Sequence, residues 1–433
     1  VLFLNMQDFV TATKSADEMI EYLKEQILDD LEEEFPLEVE KSKRVFINSF
    51  NRISSSTGAS FIIIIDEWDC IFRMFPEDSN YQQKYLDFLR SWLKGKDYVK
   101  LAYMTGILPI KKYGIHSALN MFDEFSMTSP SALSEYFGFK ESEVLKLSRK
   151  YDMDFSEVRN CYDGYILGKD LHIFSPKSVV DAMRKQRLDN YWTSTETYEA
   201  LQIYLDLNFD GLKDDIIRML SGQSVEIDTL TFQNDMKTFA VKDDVLTLLI
   251  HLGYLSYDAE HKTVSIPNEE VRSEFVRAIR FTEGFSPVIR SINASEALLK
   301  SALQGDEKAV AKGIEEAHML NTSLIEYNDE NSLSCIISLA FYSARKYYSF
   351  HREFPTGKGL ADIVLLPRSI HPEKPAIIFE LKWNKSAEAA MDQIKKKQYP
   401  KALEDYLGEI LLVGINYDTK TKEHCCLIEK LRK

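Results

Sequence analysis

Cysteine is scarce in this sequence: Cys70, Cys161, Cys335, Cys425 and Cys426 are the only five in 433 residues. Their number is odd and no Cys-x-x-Cys spacing occurs. That argues against a disulfide framework or a cysteine zinc site and predicts reduced thiols in a cytoplasmic protein. Long apolar runs are also missing. The longest aliphatic stretch lies within 61–65, whereas a membrane span needs roughly 20 residues, so no membrane partner is expected. No N-terminal signal pattern, internal repeat or low-complexity tract is present. An initiator Met is missing too: the chain opens Val1-Leu2-Phe3-Leu4, as if inside a strand, and a truncated gene product is expected. Finally, positive charge is in deficit. The 53 Lys and Arg face 68 Asp and Glu, a net of −15, which taken whole argues against a phosphate-rich partner.

What is present describes a folded protein. The chain is 45% apolar and 12% aromatic, too rich for disorder. At roughly 150 residues per domain, its length predicts about three domains. The charge is unevenly placed. Residues 321–433 carry 17 Lys and Arg against 15 Asp and Glu, a net of +2, which leaves −17 for residues 1–320. The two regions differ electrostatically, and separate tasks are expected of them.

Apolar periodicity divides the chain further. Residues 1–5 read as a short buried strand, 15–39 and 41–55 as helices, and 61–65 as a central parallel strand buried on both faces. A helix over 81–92 and a strand over 99–104 follow, and the alternation implies βαβ units. Helices dominate after residue 121, including 142–150 and 176–184. Tyr162-Asp163-Gly164-Tyr165 reads as a structural turn. Residues 241–252, 254–257 and 263–266 read as helix, strand, strand, a small winged element. Helices over 295–303 and 308–318 form a hairpin broken at Gly305-Asp306. From Glu330 the α/β pattern returns: a helix to 347, strands at 361–366 and 376–381, a helix over 387–407 and a strand at 410–415.

Two constellations carry chemistry. The first is Phe61-Ile62-Ile63-Ile64-Ile65-Asp66-Glu67. A buried strand ends in two acids, and open α/β sheets bind ligands at the carboxyl ends of their strands. This is the Walker B pattern, in which Asp66 would hold Mg²⁺ through water and Glu67 would polarise the attacking water. The next strand ends in Thr105-Gly106, where Thr105 would sense a γ-phosphate. The companion loop Gly-x-x-x-x-Gly-Lys-Ser/Thr does not occur: Gly-Lys stands only at Gly95, Gly168 and Gly357, none followed by Ser or Thr. Tight ATP binding by this chain is therefore not expected, and a missing N-terminal segment would account for the absent loop.

The second is Gly359-Leu360-Ala361-Asp362 followed by Phe379-Glu380-Leu381-Lys382. Residues two apart on a strand share a face, so Glu380 and Lys382 project together. If the strands pair as a hairpin, Asp362 joins them. Two carboxylates and a lysine can hold Mg²⁺ or Mn²⁺ and activate water against a phosphodiester. The plain alternative is a salt bridge. Lys395, Lys396 and Lys397 beyond could meet phosphates or form a solvated face.

In order, these marks resemble the bacterial proteins that join an AAA-type ATPase-like domain to a C-terminal PD-(D/E)XK nuclease-like domain. Further marks are Thr105-Gly106-Ile107-Leu108-Pro109-Ile110, Phe137-Gly138-Phe139, Cys161-Tyr162-Asp163-Gly164-Tyr165, Phe174-Ser175-Pro176, Asn190-Tyr191-Trp192, Asn328-Asp329-Glu330 and Asp392-Gln393-Ile394 leading to Gln398-Tyr399. The resemblance implies an α/β fold: a partial P-loop/AAA-type parallel sheet with a helical lid and a winged-helix-like region, then a restriction-endonuclease-like α/β domain. The expected boundaries are 1–130, 131–320 and 321–433. It implies Asp66 and Glu67 as the Walker B pair, and Asp362, Glu380 and Lys382 as the nuclease core. Glu330 would be the helix acid and Gln393 an auxiliary polar group. Leu360 departs from the more usual basic or polar residue at that rim. The expected cofactors are Mg²⁺ or Mn²⁺, with ATP in the complete protein. The expected partners are DNA or RNA at the C-terminal domain and proteins at the acidic N-terminal region; an oligomer is compatible with this. The alternative function is a nucleotide-dependent signalling or scaffold protein whose nuclease fold is inert.

Overall fold

The computed structural model describes residues 1–110, 119–168, 171–192, 198–233, 236, 238–321, 329–356, 359–399, 403 and 408–431. Asn328 and residues 400–402 and 404–407 of the expected last helix lie outside them. The chain forms two compact units, Val1–Pro130 with Asp228–Gly253, and Ser131–Ile227 with Tyr254–Lys433. The expected winged element divides between them: helix Lys242–His251 falls in the first, and the strands that follow fall in the second. All five cysteines are free thiols. Among the described residues no helix is long and apolar enough to cross a membrane.

The first unit holds a three-stranded parallel sheet in the order β1 (Leu2–Asn5), β2 (Phe61–Asp66), β3 (Val99–Met104). The sequence places β2 in the centre with both faces buried. The centre is right, but burial alternates: Phe61, Ile63 and Ile65 are buried, while Ile62, Ile64 and Asp66 are half-buried. On the second face Phe3, Leu101 and Tyr103 are exposed. The first face packs on aromatic rings contributed by helices Phe46–Thr57 and Ser79–Leu93. Phe50 meets Phe61 at 4.8 Å between centroids, Tyr98 at 5.0 Å and Trp92 at 5.9 Å. The helix expected over 15–39 breaks into Ala16–Glu34 and Pro36–Lys41, because Pro36 lacks the N–H that would continue the ladder. The next helix begins only at Phe46, after Lys43 and Arg44 adopt left-handed backbone.

The second unit begins with a small antiparallel sheet in the order β4 (Phe139–Lys140), β6 (Leu171–Phe174), β5 (Tyr165–Leu167). Helices Glu141–Lys150, Phe155–Tyr162 and Pro176–Lys185 enclose an apolar cluster with it, centred on Tyr162 and Phe174. The Tyr162–Tyr165 turn is structural. Gly164 has φ +120°, and a Cβ there would stand 1.9 Å from the Pro267 carbonyl oxygen, so only glycine fits. A second sheet runs β7 (Val225–Glu226), β9 (Thr263–Ser265), β8 (Ser256–Asp258). Buried Glu270 accepts the N–H of Tyr191 at 2.6 Å, that of Trp192 at 3.0 Å and the Ser178 hydroxyl at 2.7 Å, which anchors the Asn190-Tyr191-Trp192 segment.

The last sheet has five strands, β10 (Tyr348–Thr356), β11 (Gly359–Pro367), β12 (Ala376–Trp383), β13 (Ile410–Asp418) and β14 (Glu423–Leu431), in that order. Only β12 and β13 run parallel, and helix Ala387–Lys396 lies between them in sequence and packs on both. Their near-unbroken burial is what two covered faces demand of a parallel pair. The edge strands β10 and β14 are absent from the sequence reading. β10 mixes charged, polar and aromatic residues with no clean apolar run, and in β14 the short run Cys425-Cys426-Leu427-Ile428 is flanked by polar and charged residues, as edges are. The helix expected to reach 347 stops at Ala340 and continues as a 3₁₀ turn, Tyr342–Lys346.

Helix Glu307–Asn321 packs on β14, and there His318 and His424 stack edge to face at 5.2 Å beside Tyr417. Burial pulls the His318 imidazole down from 6.5 to about 4, and burial together with the His318 charge does the same to His424. Below pH 6.5 the unfolded chain takes up protons that the folded chain refuses, so stability falls as pH drops towards 4. At about 1.4 kcal/mol per pH unit and group, the pair is expected to remove up to roughly 2–3 kcal/mol between pH 7.5 and 5.5. Denaturant melts at the two pH values measure this, and a His318→Gln/His424→Gln chain should show the flatter profile.

Candidate active site

The β11–β12 hairpin sets the geometry. Ile363 pairs with Phe379, and one step further along stand Asp362 and Glu380. The Asp362 carboxylate accepts the Leu381 N–H through Oδ2 at 2.6 Å, which fixes it against β12. Glu380 and Lys382 share one face of β12, as their spacing requires, and both are buried, at 1% and 5% exposure. The Lys382 ammonium donates to Glu380 Oε1 at 2.8 Å and to the Leu381 carbonyl at 2.7 Å. Glu330, in the first turn of the helix Glu330–Ala340, brings Oε1 to 3.9 Å from the same ammonium. That helix is capped by Asp329, whose side chain accepts the Ser332 N–H. The structure thus brings Asp362, Glu380, Lys382 and Glu330 together.

Gln393 reaches the site indirectly. Its Nε2 donates to the Tyr399 hydroxyl at 3.2 Å, and that hydroxyl donates to the Leu360 carbonyl at 2.7 Å. Tyr399 is fully buried against the sheet. It braces the strand that carries Asp362, and Gln393 braces Tyr399. In the sequence Tyr399 stands only as one mark of the resemblance. Its spacing from Gln393, just past the helix end, was the available signal. Leu360 is half-exposed at the rim.

The carboxylates are under strain of charge. Burial pushes Glu380 up to about 7, and the Asp362 charge adds to this while Lys382 opposes it. Burial likewise raises Asp362, against the Leu381 N–H and Lys382. Glu380 Oε2 is buried without a hydrogen-bond partner. A buried carboxylate oxygen left bare beside a second carboxylate is the environment a hard divalent cation relieves. The donor set is small. Among the described residues no group of three or more His, Cys, Asp and Glu is placed to hold a metal ion. Asp362 and Glu380 therefore fit a cation that completes its shell from water and substrate oxygens, in the manner of Mg²⁺.

The other predicted cluster lies at the carboxyl end of β2. The Thr105 hydroxyl donates to Asp66 Oδ1 at 2.6 Å, since β2 and β3 are neighbours and end together. Glu67 has left-handed backbone, φ +54°, and its carboxylate is ion-paired with Arg73. Arg73 also approaches Asp69 at 3.3 Å. Asp69 is a residue that the sequence reading missed. It is fully buried and accepts the N–H groups of Ile107, at 3.2 Å, and Leu108, at 2.8 Å. It thereby clamps the loop after Thr105 over the acids. Gly106 is required there, because a Cβ would stand 2.6 Å from Asp69 Oδ1.

Comparison with known families matches two parts of the chain. Residues 1–116 match the family described as predicted AAA-ATPase. Residues 328–426 match the PD-(D/E)XK nuclease superfamily. No curated protein matches the chain. The second match spans the five-stranded sheet up to Cys426 and every residue of the Asp362 cluster; the first spans β1 to β3 and the Asp66 cluster.

Replacing Asp69 by Ala should strip the buried Leu108 N–H and the half-buried Ile107 N–H of their acceptor, while Arg73 keeps Glu67. A loss of about 2–4 kcal/mol is expected in denaturant unfolding, against about 1 kcal/mol for Thr105→Val.

Proposed function

From a chain that joins an AAA-ATPase-like region to a PD-(D/E)XK nuclease domain, we propose a metal-dependent nuclease that hydrolyses phosphodiesters of DNA or RNA. The observation that carries the reading is Glu380 Oε2, a buried and bare carboxylate oxygen flanked by Asp362 and Lys382. Mg²⁺ or Mn²⁺ held by Asp362 and Glu380 would supply the positive charge that makes water nucleophilic and offsets charge on the phosphorane-like transition state. The protein's own part is positioning. The Leu381 N–H and the Tyr399 brace hold the Asp362 strand in place. Lys382, gripped by Glu380 and the Leu381 carbonyl with Glu330 beyond, presents its remaining donor capacity to an attacking water or a phosphate oxygen. Glu330 is close enough to compete for that ammonium and so to take up charge when Glu380 is engaged elsewhere. Gln393 acts through Tyr399.

On the same reading, residues 1–130 form the ATPase-like core, 131–320 the lid and winged region, and 321–433 the nuclease domain. Asp66 would hold a nucleotide's Mg²⁺ through water, with Thr105 beside it. Glu67 would have to leave Arg73 before it could polarise water. The acidic 1–320 region suits protein partners.

Labelled DNA and RNA, incubated with Mg²⁺, Mn²⁺ or EDTA, test the nuclease reading. Wild type should cut only with metal. Lys382→Ala and Glu380→Gln should each lower kcat on the order of 10²-fold or more. Equal cleavage by wild type and Lys382→Ala would sink it. Because the sequence holds no Gly-x-x-x-x-Gly-Lys-Ser/Thr loop, calorimetry with MgATP should give weak or no binding. A micromolar Kd would mean that another loop cradles the phosphates.

A further inference from the structure

Of the three consecutive lysines after the site, each ends differently. Lys395 is ion-paired with Glu429 at 2.7 Å. Lys396 is exposed at the last residue of its helix. Lys397 turns back across the sheet. Its chain lies over the first residue of β11, where a Cβ on Gly359 would stand 3.1 Å from both Lys397 Cδ and Nζ. Glycine at this position therefore leaves the lane that the lysine occupies. The ammonium stands 5.8 Å from the centroid of the Tyr399 ring, the ring whose hydroxyl holds Leu360. Its field reaches both Asp362 and Glu380, and favours the charged form of each.

Among the described residues the Lys397 ammonium makes no hydrogen bond or ion pair; only its backbone N–H is engaged, by the Gln393 carbonyl. The acids within its reach are already committed: Asp362 to the Leu381 N–H, and Glu380 Oε1 to Lys382. A half-buried ammonium, aimed along a bare glycine towards two carboxylates but bonded to neither, is provisioned for an anion that arrives from outside. The rim beside it is Leu360, half-exposed and apolar, so it does not supply that anion. Resting on the nuclease reading of the same site, we propose that Lys397 is a substrate-positioning residue that binds a backbone phosphate of the nucleic acid at the open edge of the site. Lys382 then serves the reacting centre and Lys397 the register of the strand that enters it. A point charge on a flexible stem suits this task, since it reads phosphate and not base.

The test separates binding from cutting. Fluorescein-labelled single-stranded and duplex 20-mers are titrated against wild type, Lys397→Ala, Lys397→Gln and Lys397→Arg, with Ca²⁺ replacing Mg²⁺ and salt varied. Each neutralised phosphate adds roughly 0.7–0.9 to the slope of log K against log salt, so Lys397→Ala and Lys397→Gln should lose about that amount, and Lys397→Arg should keep it. In Mg²⁺, the Ala and Gln variants should show KM raised about 5–10-fold with a smaller change in kcat, as uniform binding loss requires. Their melting curves should stay close to wild type, because among the described residues the ammonium makes no hydrogen bond or ion pair and only a distant contact with the Tyr399 ring. Wild type that binds and cuts, with a Lys397→Ala slope unchanged, overturns this inference alone. Wild type that neither binds nor cuts overturns it together with the nuclease reading.

Discussion

One pair of charges organises the C-terminal sheet. Glu380 and Lys382 lie on a strand whose other residues are apolar and, up to the half-buried Trp383 at its end, buried, with that strand between β11 and β13. Charges in such a place are tolerated only when paired and hydrogen-bonded, and removing one partner of a buried pair typically costs about 3–5 kcal/mol. Everything around them follows from this demand. Lys382 satisfies one oxygen of Glu380, the Leu381 N–H holds Asp362, and Glu330 approaches from a separate helix. The second oxygen of Glu380 is left without a hydrogen-bond partner, which separates this cluster from a fully satisfied salt bridge.

The same unit ties the site to the region before it. Buried Arg345, in the 3₁₀ turn before β10, is ion-paired with Glu269 at 2.6 Å, and Arg272 holds Glu269 at 3.1 Å. Arg368, just past β11, pairs with Glu157 of helix Phe155–Tyr162, and the Ser369 N–H adds a bond at 3.2 Å. Arg352 on β10 donates to Ser221 at 3.2 Å and to Asn331 at 3.0 Å, next to Glu330. These links join residues more than 50 positions apart in most cases, and they make the sheet and the preceding helices one packed body.

Much of this was legible beforehand. Strand β2 and the hairpin of β11 and β12 announce themselves, because apolar runs bounded by turns have few other solutions. The Glu-x-Lys spacing alone puts Glu380 and Lys382 on one face. Edge strand β10 was not legible, since an edge need not be apolar, and the apolar run of β14 is only four residues long between polar and charged residues. Asp69 was hidden for another reason. An acid three residues past a strand looks like a surface residue until the loop after Thr105 folds back and supplies the N–H groups that bury it. Gln393 was read as part of the site, but it touches Tyr399, and only the folded helix end shows which residue stands between. The net charge of −15 was the least informative quantity, because it averaged an acidic region with a slightly basic one.

The sequence by itself determined the α/β class, where the central apolar strands lie along the chain and which residues share a face. These depend on local periodicity, which a chain carries whether folded or not. The tertiary structure alone decided which charges lost their water. Burial pushes the Glu380 carboxyl up to about 7, and it leaves one of its oxygens without a hydrogen-bond partner. It also distinguishes Lys397 from the two lysines before it, through a glycine 38 positions earlier. Desolvation and long-range proximity are properties of the packed chain, and no run of neighbouring residues encodes them.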